Sequence, residues 1–443
     1  MNGNLLNHKV YLKKLALTNF RSACDVEITL HPRLNVFYGQ NGSGKSTILD
    51  AAAVMFSWLI ARVRNHRGSG NRIKKNDIAN GSRESTIYVE CQLGGTHRYW
   101  SLWERIKGKS PNGSRTDFTD LSKYARELSE MISSSEDKCN IPLFVYYPVN
   151  RSVLDIPLRI KNRYAFEILE AYDDALSRGV SFRRFFEWFR AREDLENEIQ
   201  ANQNRIHGLF NVAEPNSTYG NEYPDRQLKA VRDALTKLMP DFSQWSVYRS
   251  PLRMMVLKNK KPLNVSQLSD GEKCLMAMVG DLARRLAIAN PMRKNPLEGE
   301  GVVLIDEIDL HLHPQWQHKI VPRLLDTFPN VQFLISTHSP HILTHVKPES
   351  LFVLKQRDDV LEVEKPNLSY GMAVDNILSS LMGVEDTRPD SVSNEFRVLT
   401  DLIDDGKLSE ATKLISNMID EIGNDPELVR AKLLIKRKEL FKK

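Results

Sequence analysis

The sequence predicts a mixed α/β fold with a parallel-rich core sheet, a short helical insert and a mainly helical C-terminal tail. Two observations predict the sheet. Residues 34–38 form a strand-like run that leads straight into a glycine-rich loop and a helix, and the strand-like residues 301–305 and 331–335 flank a helical pattern. Strand–helix–strand units place their strands in parallel. The third observation, a change to helical patterns between residues 155 and 240, predicts the insert.

The N-terminal lobe, which we assign to residues 1–154, has mixed character. Residues 12–17 and 26–30 alternate apolar and polar side chains as strands do, and residues 87–93 and 99–103 alternate again. Residues 48–56, after the glycine-rich loop, are rich in strong helix formers. These patterns predict strands on both sides of a long helix.

The rest of the chain is expected to form three further regions. Residues 164–175, 182–206 and 226–238 read as helices of an insert spanning 155–242, and the absence of sustained heptads favours a short hairpin over a coiled-coil arm. A second α/β lobe follows at 243–355. The tail, 356–443, contains amphipathic patterns at 408–422 and 426–441, and we expect it to dock a partner or another copy.

Composition excludes several classes of protein. With 443 residues, 41% of them hydrophobic, the chain can bury a sizeable core. Its net charge of +6 is a small excess of 62 basic over 56 acidic residues, so both an ordinary mixed surface and an affinity for polyanions stay open. The four cysteines lie far apart without ligand-like spacing, which predicts free thiols and a cytoplasmic location. Neither a signal sequence nor a membrane partner is indicated.

Residues 39–46 carry the spacing of a phosphate-binding loop. Glycines expose backbone N–H groups to phosphates, Lys45 can meet the β and γ oxygens, and Ser46 can ligate Mg²⁺. A glycine-rich turn without a ligand is the alternative, but the complete match lies between a strand and a helix, as the motif requires. The predicted nucleotide-contacting residues here are Gly39, Asn41, Gly42, Ser43, Gly44, Lys45, Ser46 and Thr47.

Two adjacent carboxylates follow the apolar run at 301–305. We expect Asp306 to hold Mg²⁺ together with Ser46, and Glu307 to orient or deprotonate the attacking water. Adjacent carboxylates at a strand end are costly without a nearby cation. A capping pair for the following helix is the structural alternative.

Residues 268–273 can be read in two ways. Ser269 and Glu272 have the spacing of a helix capping box, in which Ser269 is the N-cap residue. The same hydroxyl and the following backbone amides can also face an anion. Taken alone, this segment favours the capping interpretation.

In combination, these motifs resemble the ABC ATPase family, specifically the heads of the SMC, recombination-repair and OLD-like branch, across residues 10–355. The resemblance implies an ABC-type P-loop NTPase head that binds and hydrolyses ATP with Mg²⁺ as a homodimer or a higher even oligomer. It implies that Ser269, Gly271 and Glu272 contact the γ-phosphate of ATP held by the opposite copy. It also implies that His338, within the motif at 335–340, senses the γ-phosphate and acts with Lys45 and Glu307 as a catalytic group.

Two further positions follow from the resemblance. Arg21, at the end of an Asn-Phe-Arg tripeptide, resembles the segment of the family that lies near the nucleotide base and α-phosphate. The family's Gln-loop has no clear counterpart, so Asn150 or Arg151 is expected to serve instead.

Three histidines follow Glu307, in a Leu-His-Pro form similar to OLD-like stand-alone heads. His311, His313 and His318 have the composition of a metal cluster. Helix-entry packing and a dimer contact are better explanations.

Within this branch, the short insert and residues 142–153, 370–371 and 381–384 look like the PtuA group of ATPases from Septu and some retron-linked antiphage systems. The resemblance implies a PtuB-like HNH endonuclease partner, with a reverse transcriptase and its nucleic-acid product as further candidates. The tail is short and mainly helical, unlike the metal-binding nuclease domain of OLD nucleases, so we assign no nuclease centre to this chain. Basic residues at 62–75 and 432–443 permit non-specific nucleic-acid binding through phosphates.

Three other functions stay open. A DNA-repair or chromosome-maintenance head would need a long coiled-coil arm, and a transporter subunit would need a Gln-loop insert. A structural scaffold that binds ATP with little turnover is compatible with Asp270 in the segment at 268–273 and with the altered Gln-loop.

Overall fold

The computed structural model describes residues 9–106, 115–149, 167–176, 182–210, 225–358, 360–384, 386 and 388–441, with side chains described up to residue 202 in the helix that ends at 210. The chain divides into two compact units, Met1–Ile377 and Leu378–Lys443.

Strands and helices alternate through the first unit, and the second is helical. The strands are β1 (Val10–Phe20), β2 (Ala23–Thr29), β3 (Leu34–Gly39), β4 (Glu84–Leu93), β5 (Thr96–Arg105), β6 (Leu143–Tyr147), β7 (Phe242–Arg249), β8 (Leu252–Lys258), β9 (Lys261–Asn264), β10 (Gly301–Ile305), β11 (Val331–Thr337), β12 (Leu351–Arg357) and β13 (Val360–Glu364). The helices are α1 (Lys45–Arg64), α2 (Thr119–Ser135), α3 (Phe182–Phe210), α4 (Arg226–Leu238), α5 (Asp270–Ala289), α6 (Pro314–Thr327), α7 (Pro340–Leu343), α8 (Val374–Ser380), α9 (Asp390–Asp404), α10 (Leu408–Ile422) and α11 (Pro426–Phe441).

A six-stranded sheet with the order β13-β12-β3-β11-β10-β6 forms the centre of the first unit. Every neighbouring pair is parallel except β12 and β13, which form an antiparallel hairpin. Strands β3, β6, β10 and β11 are buried along their whole length, as their apolar sequences require of strands covered on both faces. The sheet confirms the predicted parallel-rich core and the predicted unit of β10, α6 and β11.

The register of the sheet aligns the ends of its central strands. Tyr38 of β3 pairs with Thr337 of β11, and Ile305 of β10 pairs with both Ile335 of β11 and Tyr147 of β6. The loops that follow β3, β10 and β11 therefore leave the sheet at the same edge, where ligands bind in parallel α/β sheets.

A second, antiparallel sheet with the order β2-β1-β4-β5 completes the N-terminal lobe. Helix α1 contacts strands of both sheets. Among the described residues it is the one helix long and apolar enough to cross a membrane by length and composition alone, and two thirds of its apolar window (67%) is buried within the protein. Most of the hydrophobic surface of α1 is therefore buried in the core of the protein.

The described part of the insert differs from the prediction at one element. The sequence predicts a helix at 164–175, but the described residues 167–176 contain only the short 3₁₀ segment Ile168–Tyr172. The carbonyl oxygens of Ala171 and Asp173 accept hydrogen bonds from the buried Arg285 Nη1 atom, at 2.7 and 2.9 Å. These hydrogen bonds fix the segment against α5, and tertiary contacts of this kind can override helix propensity. Helix α4 has the predicted bounds.

The tail begins later than residue 356. The first unit extends to Ile377, because β12 pairs in parallel with β3 and β13 pairs with β12. The second unit contains α9, α10 and α11, whose buried side chains include Leu399, Ile415 and Leu428. Both α10 and α11 have the bounds that the sequence predicts.

Candidate functional site

The loop between β3 and α1 depends on its glycines. A side chain at Gly39 would place its Cβ atom 2.4 Å from the carbonyl oxygen of Leu354, and Gly42 and Gly44 have φ angles of 82° and 93°. Left-handed backbone of this kind strongly favours glycine. The spacing of the three glycines therefore dictates a tight loop whose backbone turns over the start of α1.

Lys45 lies inside this loop. Its Nζ atom donates hydrogen bonds to the carbonyl oxygens of Gly39 and Gln40 at 2.9 and 3.0 Å, and the residue is 6% exposed. Burial lowers the pKa of Lys45, against the opposing effect of the Glu307 and Asp306 carboxylates. A buried ammonium held by neutral carbonyls fits an anionic ligand at the loop.

Ser43 gives a second sign of such a ligand. Its hydroxyl oxygen is buried and has no hydrogen-bond partner among the described residues. Buried polar atoms without partners are uncommon in proteins, and one in a phosphate-binding loop fits a ligand oxygen. The loop therefore fits a nucleotide phosphate in both shape and chemistry.

Asp306 connects this loop to the ends of β10 and β11. It is 2% exposed, and its Oδ2 atom accepts a hydrogen bond of 2.7 Å from the hydroxyl of Ser46, 260 positions away in sequence. The Ser336 hydroxyl donates to the other carboxylate oxygen of Asp306 and accepts from the backbone N–H of Glu307 at 2.7 Å. A hydroxyl and a carboxylate in contact are the kinds of oxygen ligand that Mg²⁺ prefers, so this pair fits a magnesium ion.

His338 follows β11 at the same edge. Its backbone N–H donates to Asp309 Oδ1 at 3.3 Å, and the Thr337 hydroxyl donates to the same oxygen at 2.6 Å. Burial lowers the pKa of His338, and the positive charge of Lys45 lowers it further. Both effects favour the neutral imidazole, and its Nε2 atom is buried without a hydrogen-bond partner among the described residues.

Residues 269–272 begin helix α5 and confirm the predicted capping box. The hydroxyl of Ser269 accepts from the N–H of Glu272 at 3.4 Å, and the Glu272 carboxylate accepts from the N–H of Ser269 at 3.0 Å. Lys258 Nζ pairs with Glu272 at 2.6 Å. Gly271 packs tightly, because a Cβ atom there would lie 2.1 Å from the carbonyl oxygen of His311. Ser269 itself is exposed.

Arg21 lies in the turn between β1 and β2, with a positive φ of 53°. Its guanidinium pairs with Asp77 at 2.9 Å and with Asp50 of α1 at 2.6 Å. Asp50 also accepts a hydrogen bond of 2.9 Å from the Tyr146 hydroxyl. The neighbouring Ser22 lies beside Gly44, where a Cβ atom would be 3.4 Å from the Ser22 hydroxyl oxygen, so the turn is next to the phosphate loop.

The remaining predicted positions have separate surroundings. Asn150 and Arg151 lie outside the described residues. His313 caps α6, where its Nδ1 atom accepts from the N–H of Gln315 at 3.3 Å. His318 is hydrogen-bonded to His341 at 3.0 Å and to His345 at 3.1 Å. Within the described ranges, no three His, Cys, Asp or Glu side chains form a group that could hold a metal ion.

Sequence reasoning missed Ser336, Asp309 and Asp50. Ser336 lies inside the motif at 335–340, where only His338 received a role, and Asp309 lies two residues after Glu307. Ser336 and Asp309 are polar residues at the end of a fully buried strand or shortly after one, and Asp50 is a polar residue on the helix that follows the phosphate loop. That position is the one signal that could have identified them.

Comparison with known proteins identifies the family. A family model described as "AAA domain, putative AbiEii toxin, Type IV TA system" matches residues 110–344, and one described as "AAA ATPase domain" matches residues 11–140. The chain is 33% identical over 387 residues to the Retron Vc95 probable ATPase of Vibrio cholerae serotype O1 biovar El Tor, covering 80% of this chain and 75% of that protein. The chain belongs to this family of retron ATPases.

Two other relatives extend the retron ATPase family to Septu systems. The Retron Ec83 probable ATPase of Escherichia coli is 28% identical, covering 93% of this chain and 84% of that protein. The Septu protein PtuA of Bacillus thuringiensis is 24% identical, covering 85% of each chain. The chain is therefore an ABC-type ATPase head related to PtuA and the retron ATPases, which confirms the resemblance found in its motifs.

Solved structures are more distant. The SMC head domain from Thermotoga maritima is 16% identical, covers 81% of this chain and 99% of that domain, and has a TM-score of 0.42.

Proposed function

We propose that this retron ATPase closes around ATP as a homodimer or higher even oligomer, hydrolyses it, and thereby controls a partner effector nuclease in antiphage defence. The contact between Ser46 and Asp306, with Ser336 joining Asp306 to the Glu307 backbone, is the observation that carries the proposal. It gathers the groups needed for phosphoryl transfer to water at the edge of one sheet.

In this proposal, the phosphate loop binds the triphosphate. The Lys45 ammonium exchanges the carbonyl oxygens of Gly39 and Gln40 for phosphate oxygens, and the Ser43 hydroxyl gains the partner that it lacks among the described residues. Ser46 and Asp306 would hold Mg²⁺, which supplies charge neutralisation at the phosphates when bound. Gly39, Asn41, Gly42, Gly44 and Thr47 contribute backbone or side-chain contacts as predicted from the loop motif.

Glu307 and His338 act on the water and the γ-phosphate. The Ser336 hydroxyl fixes the Glu307 backbone next to Asp306, so the Glu307 carboxylate is placed to orient or deprotonate water. The Nε2 atom of the neutral His338 imidazole, which has no partner in the described part of the chain, can hydrogen-bond to the γ-phosphate or to that water. Arg21, held by Asp50 and Asp77, is assigned to the base and α-phosphate side of the loop.

A second copy would complete the site. Ser269 is exposed at the start of α5, where Ser269, Gly271 and Glu272 could meet a phosphate carried by another subunit. The capping box fixes the geometry of this segment before any partner arrives. This supports a site shared between two copies.

The partner assignment comes from the family. The relatives include a Septu protein PtuA and two retron ATPases. On the resemblance of the motifs to PtuA, we assign to this chain an HNH endonuclease partner, with a reverse transcriptase and its nucleic-acid product as additional candidates. The nuclease centre is assigned to the partner and not to this chain. The helical tail is our candidate docking region, and a cytoplasmic location is part of the proposal.

Two substitutions test the ATP cycle. Lys45→Ala should abolish nucleotide binding, and Glu307→Gln should slow phosphate release by at least about 100-fold while trapping ATP and the dimer. Nucleotide binding, phosphate release and size-exclusion mass would be measured on the purified full chain. Lys123→Ala, at an exposed site on α2, is the control. Unchanged turnover in both site variants would contradict the proposal.

Control of the nuclease needs a separate experiment. The full chain would be co-purified with a candidate HNH endonuclease, and DNA cleavage by the complex would be compared between the wild type and the Glu307→Gln variant. The proposal predicts that trapping ATP changes the cleavage rate. Identical cleavage in both, or tight ATP binding with negligible phosphate release in the wild type, would favour a structural scaffold instead.

A further inference from the structure

A groove on the first unit includes residues that precede β10, at the opposite end of that strand from Asp306. It has a volume of about 670 Å³ and is bounded by helix α4 on one side and residues 294–298 on the other. Arg226, Lys229 and Lys237 lie along the α4 wall, and Lys294 lies on the facing wall. All four residues are exposed. At 1.5 Å per residue, the cations of α4 extend over roughly 16 Å of one helix face.

Positive charge is in excess in this groove. Two carboxylates also line it, those of Asp233 and Glu298, and Glu298 accepts a hydrogen bond of 3.1 Å from Asn295 Nδ2. Lys229, Lys237 and Lys294 take part in no ion pair in the described part of the chain. Four cations therefore face two carboxylates, and all three lysine ammonium groups are available to a ligand.

The groove is separate from the ATP site. Residues 296–298 form a short turn three residues before β10, whereas Asp306 follows the end of the same strand. Five strand residues at about 3.3 Å each separate the two ends of β10 by roughly 16 Å. A ligand in the groove would therefore not contact the nucleotide directly.

The lining chemistry indicates what kind of ligand fits. The apolar lining residues are Ala230, Pro296 and Leu297, which are buried, and no aromatic side chain lines the groove among the residues that the structure describes. A protein interface is expected to have an apolar or aromatic centre, and base stacking needs aromatic rings. A row of lysines and an arginine instead matches the regular negative charges of a phosphodiester backbone.

We propose that the groove between α4 and residues 294–298 binds the phosphate backbone of a nucleic acid without reading its base sequence. This function goes beyond the proposed ATP cycle and uses none of its residues. It also places the nucleic-acid contact at a different surface from the basic segments at 62–75 and 432–443, which the sequence alone singles out.

The salt dependence of binding tests the proposal. We would measure binding of a fluorescein-labelled single-stranded DNA oligonucleotide to the full chain by anisotropy, between about 50 and 200 mM salt. The Lys229→Gln/Lys237→Gln/Lys294→Gln variant should bind more weakly, and its slope of log affinity against log salt should be shallower by about 2, since each phosphate contact contributes about 0.7. A Lys123→Gln/Lys261→Gln/Lys347→Gln variant loses the same charge at exposed positions elsewhere and is the matched control.

Several outcomes would overturn the proposal. Equal loss of binding in the two triple variants would show that only net charge matters, and unaltered binding in the groove variant would place the contact elsewhere. Competition by polyglutamate as effective as that by unlabelled DNA would identify an acidic protein as the ligand. ATP turnover should be normal in the groove variant, so failure here is distinguishable from failure of the proposed ATP cycle.

Discussion

At the scale of single residues, Ser336 connects the two acidic positions of the site. Its hydroxyl donates to Asp306 and accepts from the Glu307 backbone, which fixes two neighbouring residues with one side chain. The φ angle of Glu307 is 47°, a conformation that is uncommon outside glycine. A hydrogen bond to the backbone at that position helps to hold it. Ser336 therefore acts as a positioning residue for Glu307.

Gly271 provides a prediction at the same scale. Gly271→Ala would place a Cβ atom 2.1 Å from the carbonyl oxygen of His311, so either α5 or the loop after Glu307 must shift. Overpacking of this kind typically costs about 1–3 kcal/mol. We expect the free energy of unfolding, measured by urea denaturation, to fall by that amount and ATP turnover to decrease with it.

The control for Gly271→Ala is Asp270→Ala, because Asp270 is exposed on the preceding position of the same helix. It should leave the free energy of unfolding nearly unchanged. An unchanged free energy of unfolding in the Gly271→Ala protein would contradict this prediction. It would show that the backbone at His311 can move to make room for the Cβ atom at no cost in stability.

The site residues that could be predicted from the sequence are those whose motif lies within a few consecutive positions. The glycines and Lys45 stand within eight positions, and their spacing alone specifies the loop, whereas Ser46 and Asp306 are 260 positions apart. Their contact depends on β3 and β10 being two strands apart in one sheet, with β11 between them. The contacts of Ser336 with Asp306 and Glu307, and the contact of Gly271 with His311, could not be predicted, because each depends on packing between distant segments.

At the scale of elements, helix α5 is fixed to the core by a buried ionic cluster. The Asp281 carboxylate accepts from Arg285 Nε at 2.7 Å, from Arg284 Nη2 at 2.8 Å and from the Tyr147 hydroxyl at 3.1 Å. Burial opposes ionisation of Asp281, but the two guanidinium groups outweigh it and lower its pKa below the ordinary value. Because Tyr147 ends β6, this cluster joins the helix that begins at Ser269 to the sheet beside Asp306.

Removing the central carboxylate should be costly. Asp281→Asn leaves two buried guanidinium groups without a counter-charge, and breaking a buried ion pair in this way typically costs about 3–5 kcal/mol. We expect a loss of that size in the free energy of unfolding, measured by urea denaturation of the full chain.

Asp233→Asn on the exposed face of α4 makes the same change of charge and is the control for Asp281→Asn. The free energy of unfolding of Asp233→Asn should stay close to that of the wild type. An Asp281→Asn protein as stable as this control would mean that the arginines find other partners and that the cluster does not hold α5 in place.

Amphipathic helices were the elements best predicted from the sequence. The bounds of α4, α10 and α11 follow from local patterns of apolar and polar residues. The helix expected at 164–175 is not present in its described part, where tertiary hydrogen bonds from Arg285 to the carbonyls of Ala171 and Asp173 override the local propensity. The small sheet of β7, β8 and β9 was not predicted, since its short strands acquire their structure from neighbouring elements. The helix α2 was missed, although its buried residues Leu121, Leu128 and Ile132 follow the spacing of an amphipathic helix.

At the scale of the whole molecule, the folded structure disfavours the protonated form of several histidines. The pKa values of His31, His338, His341 and His345 are all lowered, in each case mainly by burial. Their folded pKa values lie below the unfolded value of about 6.5, so the folded protein binds fewer protons than the unfolded chain near that pH. The stability that these groups contribute is present above about pH 6.5 and is lost as the pH falls below it.

We therefore expect the Tm of the full chain to fall between about pH 7.5 and pH 5.5. His31 supplies a direct test of the cause, because its Nδ1 atom accepts a hydrogen bond of 3.2 Å from the N–H of Arg33, and protonation would remove that acceptor. His31→Asn keeps a possible acceptor but cannot titrate, so its Tm should fall less steeply over this interval than that of the wild type. The same substitution at the exposed His97 of β5 should leave the slope unchanged. Equal slopes for the wild type and His31→Asn would show that other groups set the acid sensitivity of the fold.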